Sequence, residues 1–131
     1  MSAATATRRG QAAAERLMVD ACTVAHLTGE TEGPGGVITS TYAAPFYTGK
    51  CQVQIKAEAG QAVTVGEAQR IVSRKVVKLP MSVLGVREGD RITITAAGLD
   101  ADLVGRVYTA RDVESKTYLT ARRVTVLEVT S

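Results

Sequence analysis

The most regular alternation of apolar and polar positions lies in the second half of the chain. Ile92, Ile94 and Ala96 alternate there with polar side chains. Because successive side chains of a strand point to opposite faces of a sheet, this pattern predicts a half-buried strand. A polar connection over 98–105 follows, and then a second strand over 106–113 that is rich in β-branched and aromatic residues. The two strands predict the closing part of a small β-barrel or sandwich.

The same period of two predicts further strands along the chain. Cys51, Val53 and Ile55 alternate cleanly with polar residues, which predicts that all three face inward. About seven strands are predicted in total, over 20–27, 37–42, 47–56, 69–79, 91–96, 106–113 and 119–129. Strands at this spacing are typical of an all-β sandwich or barrel.

Glycine, proline and small residues mark the longest breaks between these strands. Residues 29–36 contain a proline and several glycines, which predicts an exposed hairpin tip. Residues 57–67 are small and contain glycine, which predicts a long mobile connection. In the strand over 69–79, adjacent apolar pairs interrupt the alternation, and this predicts a bulge or a strand that crosses between sheets.

An amphipathic helix is predicted near the N-terminus, over Thr7–Met18. Strong helix formers fill this segment, and apolar side chains recur four residues apart along one side. A helix this short, with so narrow an apolar stripe, is marginal alone. We therefore expect it to dock on the barrel or on another subunit. The predicted organisation is an N-terminal arm or helix, 1–18, followed by a β-barrel domain, 19–131.

Composition fits this fold class, a small all-β barrel or sandwich with a short N-terminal α-helix and long loops. The 131 residues suit one domain. The chain has no Trp and one Phe, so its core must consist mainly of Val, Ile, Leu and Ala. Such a core favours strands over an aromatic-lined ligand pocket, and a small-molecule enzyme is not favoured. The net charge of +3 permits contact with nucleic acid without requiring it.

Single residues of chemically interesting types have ordinary explanations. Cys22 and Cys51 lack the C-x-x-C spacing of metal or redox sites, which predicts buried free thiols. His26 is the only histidine, and no carboxylate or cysteine motif lies near it in sequence, so we expect a strand residue rather than a general base or metal ligand. No signal peptide or apolar run of membrane-spanning length is present, which predicts a soluble, cytoplasmic protein.

No motif for catalysis, metal binding or cofactor binding is found. Asp100 and Asp102 lack the further oxygen ligands of a calcium loop, which predicts a solvated turn. No serine stands in a G-x-S-x-G motif, and the glycines at 33–36 lack the lysine of a phosphate loop. We therefore expect no catalytic residues, no metal and no cofactor.

Four segments of the chain carry a resemblance to a known family. They are RRGQAAAERLMVDACTV from Arg8, YAAPFYTGKCQVQ from Tyr42, EGDRITITAAGLDADLVGRVY from Glu88 and TARRVTV from Thr120. Together these segments resemble small proteins encoded beside portal and capsid genes in tailed phages and prophages of actinobacteria. These are the head-closure proteins, also called head-to-tail stoppers or head-tail joining proteins.

The resemblance implies a β-barrel subunit of the virion neck that is assembled in the host cytoplasm. It implies a homo-oligomeric ring, a hexamer or dodecamer, with portal and adaptor proteins above it and the tail terminator or tail tube below. Packaged double-stranded DNA would occupy the lumen without sequence-specific contacts, and no membrane would be involved. A ring protein needs self-complementary edges and loops that order on assembly, and it needs no active site.

Two sets of residues are candidates for these contacts. A gating loop in the ring lumen is assigned to Lys56, Glu58, Gly60, Val63, Thr64, Val65, Gly66 and Glu67. Its glycines give backbone freedom, Lys56 would steer phosphate, and the two glutamates would keep that contact weak by like-charge repulsion. Contacts between subunits or rings are assigned to Arg8, Arg9, Arg16, Leu17, Met18, Arg70, Arg74 and Lys75.

Other functions stay open as alternatives. The neighbouring connector roles, head-tail adaptor and tail terminator, would use a similar barrel. A small barrel that binds single-stranded nucleic acid is less favoured, because it needs aromatic side chains for base stacking beside a basic groove. The aromatic residues are Tyr42, Phe46, Tyr47, Tyr108 and Tyr118, and none lies within the basic strand over 69–79. An enzyme ranks third.

Overall fold

A computed structural model describes the backbone of residues 2–65 and 68–129, and the side chains of these residues outside 56–74. The described residues form one α-helix and eight strands. These are α1 (Ala3–Arg16), β1 (Asp20–Ala25), β2 (Leu27–Glu32), β3 (Ile38–Tyr42), β4 (Tyr47–Val65), β5 (Ala68–Leu79), β6 (Arg91–Ala96), β7 (Val107–Val113) and β8 (Arg122–Glu128). Short 3-10 turns lie at Pro34–Gly36 and Ala101–Leu103.

Six of the strands close into an antiparallel barrel. Their order around the barrel is β1-β4-β5-β8-β7-β6, and β6 pairs back onto β1. β2 and β3 form a separate two-stranded sheet, here called the ribbon, inserted between β1 and β4. The predicted small all-β barrel is confirmed. The described residues contain eight strands rather than about seven, because β2 extends through residues 29–32, which were predicted to belong to the hairpin tip.

Aliphatic side chains and one tyrosine fill the barrel. Ile92 and Ile94 are buried, as the alternation predicted, and Tyr108 is buried beside them. The interior of a barrel this small is packed with side chains, and burying one Val, Leu or Ile side chain stabilises the fold by about 1.5–3 kcal/mol. All six barrel strands contribute to this core, through Cys22, Val24, Cys51, Val77, Leu79, Ile92, Ile94, Tyr108, Ala110, Val124 and Val126.

The two cysteines lie inside this core. Cys22 and Cys51 are buried free thiols, as predicted, on the neighbouring strands β1 and β4. A hydrogen bond with Cys22, together with burial, raises the pKa of the Cys51 thiol far above its ordinary value. Because the thiolate is the reactive form, Cys51 is an inert core residue in the folded chain.

Helix α1 rests on the barrel through few contacts. None of its residues is buried. The Nε2 atom of Gln11 donates to the carbonyl oxygen of Leu119 over 3.1 Å, and the Glu15 carboxylate lies 3.3 Å from Nζ of Lys50. Met18, just after the helix, is buried, so the predicted docking on the barrel is observed. Within the described residues, no helix is long and apolar enough to cross a membrane.

The mobile connection predicted over 57–67 is wrong, because its backbone through Val65 belongs to β4. Residues 66 and 67 lie outside the described residues. β4 pairs with β1 only up to Cys51, and β5 pairs with β8 only from Lys75 onwards. Beyond the barrel the two strands pair with each other as a hairpin, here called the arm, and its register shifts between Ala57 and Ala62. The extra residues of this irregularity lie in β4, four against one in β5, so the bulge predicted for the 69–79 strand is found in its partner strand instead, and β5 does not cross between sheets.

A histidine and a buried carboxylate hold the base of the ribbon to the barrel. His26 lies between β1 and β2, and its Nδ1 atom is 3.0 Å from both carboxylate oxygens of Asp90. Asp90 is 1% exposed and also accepts a hydrogen bond from the backbone N–H of Arg87 over 2.9 Å. The His26 ring stacks on Phe46 with 4.1 Å between ring centroids. Asp90 stands 64 positions from His26, so the sequence near His26 shows no carboxylate, and His26 lies between two strands rather than within the single predicted strand.

We expect Asp90→Ala to destabilise the fold by about 1–3 kcal/mol, because His26 and the Arg87 amide lose their acceptor in a buried site. Urea unfolding followed by circular dichroism measures this change. Asp102→Ala removes an exposed carboxylate and is the matched control, with an expected effect within about 0.5 kcal/mol. Equal losses in the two variants would show that the ribbon base does not depend on Asp90.

Candidate protein interaction surface

The apolar face of β4 continues beyond the end of the barrel. Cys51 is fully buried, Val53 is half-buried and Ile55 is 68% exposed, although all three lie on one face of the strand. Ile55 was predicted to face inward with Cys51 and Val53, and the prediction that it is buried is wrong. The neighbouring strand β1 begins at Asp20, opposite Cys51, so nothing in β1 covers the later residues of β4. Apolar surface therefore runs from the core into solvent.

The loop between β6 and β7 borders the same end of the barrel. Leu99 is 92% exposed and Leu103 is half-buried. The backbone N–H of Gly98 donates to Oδ1 of Asp20 over 3.0 Å, which ties the loop to the start of β1. A Cβ atom on Gly98 would lie 2.8 Å from the carbonyl oxygen of Val19, so this close approach requires glycine. The loop predicted to be polar thus presents leucine side chains to solvent.

These side chains surround a cavity of about 580 Å³, here called the mouth. Its apolar wall consists of Leu17, Val19, Val53, Ile55, Leu99 and Leu103. Four of these residues, Leu17, Val19, Ile55 and Leu99, are more than half exposed. Contiguous exposed apolar surface of this kind marks sites of interaction on soluble proteins.

A charged cluster borders the mouth. The Nζ atom of Lys75 lies 2.7 Å from Oε2 of Glu128, and Nη1 of Arg106 lies 2.6 Å from Oε1. These hydrogen bonds, from Lys75 first and then from Arg106, lower the pKa of Glu128, and the bond to Glu128 raises the pKa of Arg106. Nζ of Lys75 also lies 5.8 Å from the ring centroid of Tyr108, within the range of a cation–π contact. The cluster joins β5, β7 and β8 beside the mouth.

The mouth offers apolar contact and cations, and its carboxylates are engaged with the backbone. Asp20 and Asp100 also line it, and they accept hydrogen bonds from the backbone N–H groups of Gly98 and Asp102. In the part of the chain that the structure describes, no group of three or more His, Cys, Asp or Glu side chains could hold a metal ion. This arrangement suits the binding of an apolar protein segment flanked by acidic side chains.

A second and more open cavity, about 720 Å³ in volume, lies between the ribbon and the barrel. Ser40 and Tyr42 line it from the ribbon, and Arg91, Arg106 and Val129 are among the residues that line it from the barrel side. The guanidinium of Arg91 lies 4.1 Å from the centroid of the Tyr42 ring, so this arginine covers one face of the tyrosine.

Three of the predicted contact residues meet at the mouth, namely Arg16, Leu17 and Lys75. Met18 is buried and presents no surface in a single chain. Sequence reasoning missed Leu99, although a leucine between Gly98 and Asp100 was a visible signal. It also missed further residues of the mouth and its charged cluster, because the chain gives no local signal for them. Among these residues are Val19, Leu103, Arg106 and Glu128.

The other predicted contact residues lie elsewhere. Arg8 and Arg9 are exposed on α1, and the side chains of Arg70 and Arg74 lie outside the described residues. The backbone of the predicted gating residues Lys56, Glu58, Gly60, Val63, Thr64 and Val65 belongs to β4 in the arm, whereas Gly66 and Glu67 lie outside the described residues. Their roles in gating and in subunit contact stay predictions.

We expect Gly98→Ala to destabilise the protein by about 1–3 kcal/mol, because the added methyl group meets the backbone of Val19, which cannot move aside like a flexible side chain. Gly29→Ala is the matched control, since its nearest contact is an ordinary 3.6 Å from Thr41. Urea unfolding of both variants measures the difference. A Gly98→Ala protein as stable as the control would mean that the loop is not held close to β1.

We expect Glu128→Gln to reduce the loss of stability in acid. The folded-state pKa of Glu128 is lowered, so its ion pairs stabilise the fold above pH 4.5, and this contribution is lost as the pH falls through the lowered pKa. The melting temperature of the wild type should therefore fall more steeply than that of Glu128→Gln between about pH 5 and pH 3. Glu114→Gln, an exposed carboxylate with longer ion pairs of 3.6 and 3.8 Å, is the control. Parallel curves for the wild type and Glu128→Gln would contradict the assignment.

Comparisons with known proteins give one family and one solved structure. The family described as "Family of unknown function (DUF6093)" matches residues 10–127. The structure of the XkdH protein of the phage-like element PBSX from Bacillus subtilis is similar with a TM-score of 0.43 and 14% sequence identity, over 83% of this chain and 92% of that chain. No curated protein matches the chain in sequence.

Proposed function

The chain belongs to the DUF6093 family, and we propose that it is a structural protein of the neck of a tailed-phage virion. In this proposal, copies of the chain form a head-closure ring, or stopper, between the portal and adaptor proteins and the tail. The ring retains packaged DNA and offers a docking surface to the tail. The sequence resemblance to head-closure proteins motivates the proposal, and the architecture of the arm supports it most directly.

The arm is too long for the needs of a single barrel. β4 has 19 residues, which corresponds to about 60 Å of extended chain. Only Tyr47–Cys51 pair with β1, so most of the strand projects beyond the barrel and pairs with β5 alone. A two-stranded hairpin without further neighbours is marginally stable in water, so it gains most from a partner that covers it. In a ring, neighbouring copies supply that partner.

The sequence of the arm fits a lumen that holds DNA and later releases it. Lys56 would attract phosphate, while Glu58 and Glu67 would weaken the contact. Symmetry-related arms that converge in the lumen would narrow the channel until the tail attaches. Such a mechanism uses steric closure and weak, sequence-independent electrostatics, and it requires no enzymatic chemistry, metal or cofactor.

Neighbouring connector roles are the second candidate, since a head-tail adaptor or a tail terminator would use the same barrel and projecting elements. The position of the protein in the virion discriminates these roles. A nucleic-acid-binding barrel has less support, because three of the five aromatic side chains that base stacking would need are engaged elsewhere. Tyr108 is buried, Phe46 stacks on His26, and Arg91 lies over Tyr42.

The test is to shorten the arm in the phage or prophage that encodes the chain, by replacing residues 58–67 with a short Gly-Ser link. We expect rings and heads to form, and heads to lose DNA before tail joining, because the lumen is no longer narrowed. Nuclease-protected DNA in purified heads measures retention, and electron microscopy with an antibody to the chain locates it. Leu84→Ala, an exposed side chain outside the arm, is the control.

Two results would contradict the proposal in different ways. Heads that retain their genome as well as wild-type heads would remove the gating role from the arm. A chain that is not detected at the neck of the virion would overturn the neck function itself.

A further inference from the structure

Two apolar surfaces of the chain lack a partner within the described residues, namely the mouth and the tip of the ribbon. We propose that the ring is built head to tail, with the ribbon tip of one copy inserted into the mouth of the next copy. This inference rests on the proposed function, because it names the contact by which the copies of the ring associate.

The ribbon tip is suited to insertion. Val37 and Ile38 follow the 3-10 turn at Pro34–Gly36, and their side chains are 61% and 65% exposed. Gly35 and Gly36 both have a φ of 77°, which glycine adopts without strain and which makes the turn compact. The tip therefore presents two aliphatic side chains at the end of a narrow, two-stranded projection.

The ribbon and the mouth belong to opposite ends of the barrel. The ribbon leaves after Ala25, which pairs with Arg91 at the start of β6. The mouth contains Asp20 at the start of β1 and Leu99 after the end of β6. Two different surfaces that bind each other form a heterologous contact, which gives a closed ring when the rotation between copies closes.

Charge complementarity identifies the ribbon as the occupant of the mouth. The ribbon, Leu27–Tyr42, contains two carboxylates, Glu30 and Glu32, and no lysine or arginine. The two glutamates stand two residues apart, so they lie on the same face of β2, about 7 Å apart along the strand. Neither glutamate makes an ion pair with a described side chain.

Helix α1 presents two cations that match them. Arg9 and Arg16 stand seven residues apart, which puts them on one face of the helix about 10 Å apart along its axis. Both are exposed, and among the described residues neither makes an ion pair. Arg16 lines the mouth, whereas Arg9 lies two turns further from it.

The apolar and charged side chains follow one another in the same order on the ribbon and on the surface formed by the mouth and α1. Glu32 pairs directly with Ile38, so both side chains lie on the same face of the ribbon near its tip. When Ile38 enters the mouth, Glu32 therefore comes close to Arg16, and Glu30, further from the tip, comes close to Arg9. The apolar contact and the two ion pairs form together.

The contact is tested on the full-length chain by photo-cross-linking. A benzoyl-phenylalanine at position 38 is introduced into the wild-type chain, and isotopically heavy and light copies are mixed. We expect heavy-to-light cross-links from position 38 to peptides that contain Leu17, Ile55 or Leu99. Cross-links only within one copy, cross-links to another surface, or none at any concentration would overturn the contact.

Substitutions test the apolar contact and the ion pairs separately. We expect Ile38→Asp and Leu99→Asp to raise the concentration at which rings form at least tenfold in native mass spectrometry. Leu84→Asp, at an exposed leucine outside both surfaces, is the control and should assemble like the wild type. Glu32→Arg should weaken assembly and Arg16→Glu should restore it in the double variant. Circular dichroism confirms that each variant folds.

The outcomes separate this contact from the neck function. Rings that persist in Ile38→Asp and Leu99→Asp would overturn the contact and leave the neck function standing. Failure to detect the chain in the neck of the virion would overturn the function, whereas the cross-linking result would still decide whether copies associate through ribbon and mouth.

Discussion

Closure of the barrel is the constraint on which the other features of this chain depend. A closed barrel has no free sheet edge, so every strand segment within it is paired on both sides. Strand length that exceeds the barrel has no such neighbours. β4 and β5 are much longer than the barrel. The residues of β4 after Ile55 pair only with the residues of β5 before Lys75, and this pairing forms the arm. The chain thus uses one continuous pair of strands both as barrel wall and as projection.

The mouth arises from the same mismatch between strand length and barrel length. A strand keeps its period of two after it leaves the barrel, so the face that carries Cys51 inside the core carries Ile55 outside it. The apolar surface that results is joined by Leu99, because Gly98 brings its loop against the start of β1. Burial of this surface is favourable at about 25 cal/mol per Å² of apolar area, which favours association over isolation.

The sequence predicted features that depend on neighbouring residues in the chain, and it missed features that depend on contacts between distant residues. Periodicity identified the buried face of β6 and placed Ile55 on the same face of β4 as Cys51, because side-chain direction follows from the strand alone. It could not show that Ile55 lies beyond the barrel wall, since that depends on where the paired strand β1 begins. The contact between His26 and Asp90 joins residues that only barrel closure brings together, so no sequence motif predicts it.

The base of the ribbon has a further consequence for assembly. In a head-to-tail ring, the direction of the ribbon relative to the mouth of the same copy sets the rotation between neighbours, and a wrong rotation gives an open filament instead of a ring. His26 and Asp90 fix that direction at the point where the ribbon leaves β1, and the stacking of His26 on Phe46 braces the returning chain. A buried carboxylate with three hydrogen-bonded contacts holds the direction of the ribbon more strongly than an exposed ion pair could. In the proposed ring, the polar site at the ribbon base would set the rotation between copies as well as stabilise one chain.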